Sequence, residues 1–278
     1  MRLLKQLIPV ALVAFLGGQA VYAVAGNPVL TLVVGLVAAV LAVFVYAGVV
    51  RWSERRSPVA EVAARGAAPG LALGTLVGVG WFALVIVNIA FLEGYRVDGF
   101  GSLAGPVGLF GFMAAAAVTE ELMFRGVLFR IIEDRAGTWL SLLVTCVLFG
   151  VWHLLNPDAT VFGAVAIAIE AGGTLGAAYI ATRKLWVPIG IHFGWNFAEA
   201  GIFGTEVSGN GQNEGLLHGV TSGPDLLTGG QFGPEASPYT IVFGIVMTIV
   251  FLWIARRRGR LVPMRRSARH AATATLTP

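Results

Sequence analysis

The sequence predicts an all-α fold, a polytopic transmembrane helical bundle of about eight spans with both termini cytoplasmic. Three observations predict it. Hydrophobic residues make up 56% of the 278-residue chain and charged residues only 12%, with a mean hydropathy of +0.79; a soluble domain carries about twice that charged share. Apolar segments of about 17–25 residues, the length that spans a bilayer, recur through the chain. Basic residues gather on alternate connections, as cytoplasmic loops do. Period-2 alternation is absent, which argues against a barrel.

The spans are expected at 8–24, 28–50, 71–92, 103–132, 139–155, 159–182, 187–203 and 239–255. Arg2 and Lys5 precede the first, and that segment, with Ala20-Val21-Tyr22-Ala23 at its end, imitates a secretory signal. Arg51, Arg55, Arg56 and Arg65 follow the second span. The fourth is longer than a bilayer needs, so it is expected to tilt or divide near Gly105-Pro106. Arg130 and Arg135 close it, and Arg183 and Lys184 close the sixth. Gly172, Gly173 and Gly176 in the sixth favour close helix approach. Cys146 is the single cysteine, which excludes an intramolecular disulfide or a cysteine cluster and leaves it a packing role. Trp152, Trp186 and Trp195 read as packing or interfacial anchors.

Segment 204–238 is rich in Gly, Ser and Pro and free of Lys and Arg. It reads as a flexible extracytoplasmic loop with a solvated His218. The arginines of 256–269 read as a basic anchor against anionic headgroups, so the pI near 9.6 signals no nucleic-acid partner. Four regions follow: 1–102 with three spans, a core at 103–203, the loop 204–238, and the last span with its basic tail at 239–278.

Within the core, ionisable groups interrupt apolar helices. A charge at mid-bilayer costs about 2.5–3.5 kcal/mol on insertion scales and by default marks a functional site. Glu121 and Arg125 stand i, i+4, a spacing that pairs them on one helix face. Glu120, about 100° away, faces elsewhere. His153 follows Phe149 by four residues, and His192, Asn196 and Glu199 share a face of the seventh span. At ~1.5 Å rise per residue, Glu120 and His153 each lie ~20 Å from the inner ends of their helices and His192 ~12 Å, so the three can meet near mid-membrane.

Two chemistries suit this set. A carboxylate or imidazole can take a proton from water while the other imidazole and the Asn amide bind an oxyanion. Alternatively Glu120, His153 and His192 can hold a divalent metal such as zinc. No Gly-x-Ser-x-Gly elbow or nucleophilic triad is present. Glu170, in the middle of span six, reads equally as a partner of the site residues or a cavity liner.

Glu120-Glu121-x-x-x-Arg125, Phe149-x-x-x-His153 and His192-x-x-x-Asn196, in this order on successive apolar helices, resemble the three motifs of the CAAX-protease and bacteriocin-processing (CPBP, or Abi) family of intramembrane endopeptidases. Leu154-Leu155-Asn156-Pro157 and Leu185-Trp186-Val187-Pro188-Ile189-Gly190 match the surrounding pattern, and the likeness covers about 103–203. The resemblance implies that Glu120 and His153 activate water, that His192 and Asn196 stabilise the oxyanion, and that Glu121 and Arg125 support them; it does not decide between a site that needs no cofactor, the reading taken here, and one holding a divalent metal such as zinc. It implies a peptide or lipidated protein substrate within the bilayer. Two other classes fit a polar membrane interior, a catalytically idle immunity or binding protein and a proton-coupled transporter. Transport predicts broken helices in paired halves and idleness predicts eroded motifs; the sequence shows neither.

Overall fold

A computed structural model describes residues 1–211 and 215–264. Among the described residues six helices are long and apolar enough to cross a membrane. The chain runs through α1 (Arg2–Ala23), α2 (Pro28–Glu54) and α3 (Ala67–Phe91), then strand β1 (Tyr95–Phe100). Helix α4 (Ala104–Glu121) continues through a widened π-type stretch, Leu122–Phe129, into α5 (Arg130–Trp152). Helix α6 (Val161–Ile167) joins α7 (Gly173–Thr182) through a second π stretch, and α8 (Trp186–Asn196) ends in a third, Phe197–Ile202. Strand β2 (Leu217–Thr221), the single turn α9 (Asp225–Thr228) and α10 (Pro238–Arg257) complete the described fold.

The helix starts follow local chemistry. Asn27 accepts from the amides of Val29 and Leu30, and Pro28 occupies the first helical position of α2. Thr160 caps α6 and Ser237 caps α10 in the same manner. One expectation for span four changes. Gly105-Pro106 does not divide that helix but lies in its first turn, where a proline removes no needed donor. Gly137, with a φ of 77°, interrupts the helical stretch from Ala104 to Leu155 within the connection expected between spans four and five.

Backbone contact between helices positions the core. A Cβ on Gly78 would lie 2.2 Å from the Ile191 carbonyl oxygen, and one on Gly194 2.4 Å from that of Thr75. Helices α3 and α8 therefore meet along a glycine seam, the close packing that small residues permit where lipid offers no hydrophobic drive. Gly172 approaches the backbone of Cys146, as its small size suggested, and Cys146 packs half-buried against the core.

The basic helix ends meet one another. Arg2 pairs with Asp134, Arg130 donates to Glu54 (2.6 Å) and to Gln6 (2.7 Å), Arg56 pairs with Glu61, and Arg183 pairs with Glu133. Arg258 donates to the Ala181 carbonyl (3.0 Å). The ends of α1, α2, α5, α7 and α10 thus share one polar end of the bundle. Residues 265–278, including the expected anchor beyond Met264, lie outside the described residues.

Segment 204–238 differs most from expectation. Strand β2 pairs antiparallel with β1, Tyr95 opposite Thr221 and Phe100 opposite Leu217. Tyr95 Oη donates to the Phe203 carbonyl (2.8 Å). Val207, Ser208, Phe232, Glu235, Ala236 and Ser237 are all buried. The segment is a folded cap, because buried apolar and polar side chains distributed without period still anchor it; His218 stays exposed on β2 as expected.

Candidate active site

Helix α4 delivers Glu120 and Glu121 at its last turn, beside the widened stretch that follows. Within that stretch the Gly126 carbonyl accepts from Tyr46 Oη and Arg130 Nε, both at 2.9 Å. π-type turns cluster at functional positions in helices. The other two widened stretches fall at Glu170 and directly after Asn196.

Glu121 is fully buried and carries two contacts on one oxygen. Arg125 Nη1 donates to its Oε1 at 2.7 Å, and His192 Nδ1 lies 3.1 Å from the same atom. The expected i, i+4 pair therefore forms, and it also orients the histidine of α8. Arg125 further donates to the carbonyls of Ala171 (3.2 Å) and Gly172 (3.3 Å). Its guanidinium carbon sits 4.5 Å from the centroid of Phe149, a cation–π contact that stabilises a buried charge.

Phe149 is the packing centre of the site. Its ring centroid lies 4.8 Å from that of His153, 6.0 Å from that of His192 and 4.9 Å from that of Phe124. His153 begins the short 3-10 turn after α5 and is buried. Its Nδ1 lies 2.8 Å from the Phe149 carbonyl oxygen. A carbonyl only accepts, so Nδ1 carries the hydrogen and Nε2 is left for other partners.

A cavity of about 150 Å³ brings the motif residues together: Glu120, His153, His192 and Asn196 line it, with Asn156 and Ser208. His192 Nε2 faces Glu120 Oε2 at 4.0 Å. Glu121 and Arg125 stand behind this surface, and Glu199 lines neither this cavity nor the one behind it. A second, water-sized cavity of about 20 Å³ lies on the far side of the two histidines, bordered by Glu170, Glu235 and Ser208. Glu170 is thus a cavity liner; its Oε1 has no hydrogen-bond partner.

A third space, an apolar groove of about 690 Å³, reaches Glu120 from the side. Helix α1 forms one wall with Leu7, Ala11 and Phe15, and α5 the other with Leu148 and Val151. Groove and cavity share Phe112, Ala116, Glu120 and Trp152. Its only side chains with strong polar groups are Thr119 and Glu120.

Among the described residues no three His, Cys, Asp or Glu side chains are arranged to hold a metal ion. Glu121 and the Phe149 carbonyl take up Nδ1 of His192 and His153, which leaves Nε2 of each ring, and His192 Nε2 lies 4.0 Å from Glu120 Oε2.

Ser208 and Glu235 were not apparent in the sequence. They belong to the cap, where no helical spacing marks a residue as inward-facing. Asn156 had one signal, its place in the Leu154-Leu155-Asn156-Pro157 string after His153; it donates to the Ser208 carbonyl at 2.7 Å.

Residues 101–198, which contain all three motifs, match the family model described as type II CAAX prenyl endopeptidase, Rce1-like. No curated protein and no solved structure gives a significant match. The likeness covers about a third of the chain, the segment that carries Glu120, His153, His192 and Asn196, and lies among helices long and apolar enough to cross a membrane.

Proposed function

We propose that the Rce1-like core at 103–203 of this chain is the catalytic unit of an intramembrane endopeptidase. Its substrate is a peptide or lipidated protein held in the bilayer, hydrolysed by water that Glu120 and His153 activate. The observation that carries this reading is the convergence of Glu120, His153, His192 and Asn196 on one cavity at the end of an apolar groove.

In this mechanism the carboxylate of Glu120 and Nε2 of His153 draw a proton from a water molecule between them. The water oxygen adds to the scissile carbonyl carbon, and the carbonyl oxygen becomes an oxyanion. Asn196 donates its amide hydrogen to that oxygen, and His192, as an imidazolium whose Nδ1–H donates to Glu121, donates to it from Nε2–H. The proton passes to the leaving nitrogen, the C–N bond breaks, and the products are a carboxylate and an amine. Arg125 and Phe149 hold Glu121 and both histidines in register. We place the polar end formed by Arg2, Arg56, Arg130 and Arg183 in the cytoplasm, following the positive-inside rule.

The test is cleavage of a peptide library by purified protein in vesicles, comparing wild type with Glu120→Ala and His153→Ala, with and without chelator. Each variant is expected to lose about 10²–10⁴-fold in turnover, the range for a general acid–base group, and wild type to be chelator-insensitive. Equal turnover by all three proteins would overturn the assignment and favour an idle binding protein.

A further inference from the structure

Glu235 lies in the cap, between Pro234 and Ala236, yet its side chain reaches the machinery of α8. Its Oε1 accepts from Trp195 Nε1 at 3.1 Å, and its Oε2 accepts from Ser208 Oγ at 2.5 Å. Trp195 immediately precedes Asn196, and its indole is wedged against Trp81 (4.5 Å between centroids) and Phe82 (5.0 Å). Ser208 lines the catalytic cavity and the water-sized cavity behind it, and its carbonyl accepts from Asn156. One carboxylate therefore ties the cap to the turn that carries Asn196.

The surroundings make that tie directional. Glu235 is buried, and the neighbouring Glu170 and Glu199 offer it no donor, since each retains unpartnered carboxyl oxygens. Both oxygens of Glu235 are committed instead to neutral donors, one on α8 and one on the cap. Burial raises the pKa of the Glu235 carboxyl above the ordinary carboxylate value. A buried acceptor with two directed partners fixes position strongly, because leaving either donor unpaired is unfavourable.

We infer that Glu235 is a positioning residue of the hydrolytic site: by accepting from Trp195 and Ser208 it sets Asn196 against the oxyanion and holds the cap over the cavity. This rests on the endopeptidase reading above, extending the site beyond the matched segment into 204–238.

Glutamine at this position keeps the geometry, accepting from Trp195 through its carbonyl and donating to Ser208 through its amide. Alanine removes both contacts. The experiment uses the full chain in vesicles, with an internally quenched peptide ending in a prenylated cysteine and three further residues as probe. Glu235→Ala is expected to lower kcat 10–100-fold with KM changed less than about threefold, and Glu235→Gln to recover kcat to within about fivefold of wild type. A second readout needs no turnover. In a Cys146→Ala background, Val207→Cys reports the cap through its reaction with a membrane-impermeant maleimide, since Val207 is buried beside Ser208. Labelling is expected to quicken at least tenfold with Glu235→Ala and less than threefold with Glu235→Gln. Unchanged labelling in Glu235→Ala, or a Glu235→Gln protein as impaired as Glu235→Ala, would overturn the inference. If wild type leaves the probe intact, the prenyl-peptide reading falls, and the labelling still decides the role of Glu235 in seating the cap.

Discussion

Arg125 is the bulkiest of the fully buried side chains among the described residues. Its charge is tolerable because Glu121, two backbone carbonyls and the face of Phe149 surround it. Such pairs contribute little net stability as a unit, but losing one partner leaves a buried charge uncompensated, a penalty of about 3–5 kcal/mol. Arg125→Leu should accordingly destabilise the fold by about that amount, read as a lowered thermal midpoint in detergent. Adding Glu121→Gln to it should recover part of the loss, because the orphaned charge is gone. Activity should stay low in the double variant, since His192 loses the carboxylate that orients it. The pair was legible from its i, i+4 spacing alone. Its second duty toward His192 was not, because spacing within one helix says nothing about which neighbouring helix supplies the third group.

At the scale of elements, the α3–α8 seam sets the depth of His192 and Asn196. Gly78 faces the Ile191 carbonyl one residue before His192, so a methyl group there must push the helices apart. Gly78→Ala should destabilise by about 1–3 kcal/mol, the usual range for overpacking, and should lower turnover more than Gly80→Ala, where a Cβ meets nothing within 4 Å. Turnover and thermal unfolding of the two variants check this. The helices themselves were readable because an apolar run of spanning length is a local signal. Three things were less readable. Gly137 fell in the connection expected between spans four and five, but nothing marked it as a single positive-φ residue within an otherwise continuous helical stretch. The π-type turns at Leu122–Phe129, Ala168–Gly172 and Phe197–Ile202 leave no compositional mark. Glu235 sits among Gly and Pro in the cap, where only the tertiary fold decides which side chains point inward.

For the whole molecule, the polar end works as a clasp. Glu54 and Glu61 bind Arg56 and Arg130, while Gln6 and Arg2 draw α1 into the same network. Burial alone would raise the Glu61 carboxyl, but hydrogen bonds and charge from Arg56 and Arg130 outweigh it and hold the group below the usual carboxylate value. A lowered native pKa gives stability that is present above the unfolded pKa and is lost as pH falls through the native one. Thermal midpoints should hold from about pH 7 to about pH 5 and drop as the pH falls further. Glu61→Gln should be less stable than wild type at neutral pH and should show a shallower drop on acidification. An equally steep drop in that variant would assign the acid sensitivity to other carboxylates.

The apolar groove between α1 and α5 has a kinetic consequence. Leu4, Ile8, Leu12 and Phe15 on α1 are exposed, so this wall meets lipid, and the groove leads inward from there to Glu120. A ligand arriving by that route is drawn from the two-dimensional solution of the bilayer. Its effective concentration is then a mole fraction among lipids, independent of the volume of the surrounding buffer. At a fixed amount of enzyme and fully partitioned peptide, adding empty lipid to the same vesicles should slow sub-saturated cleavage in proportion to the dilution. Adding buffer should leave the rate per enzyme molecule unchanged.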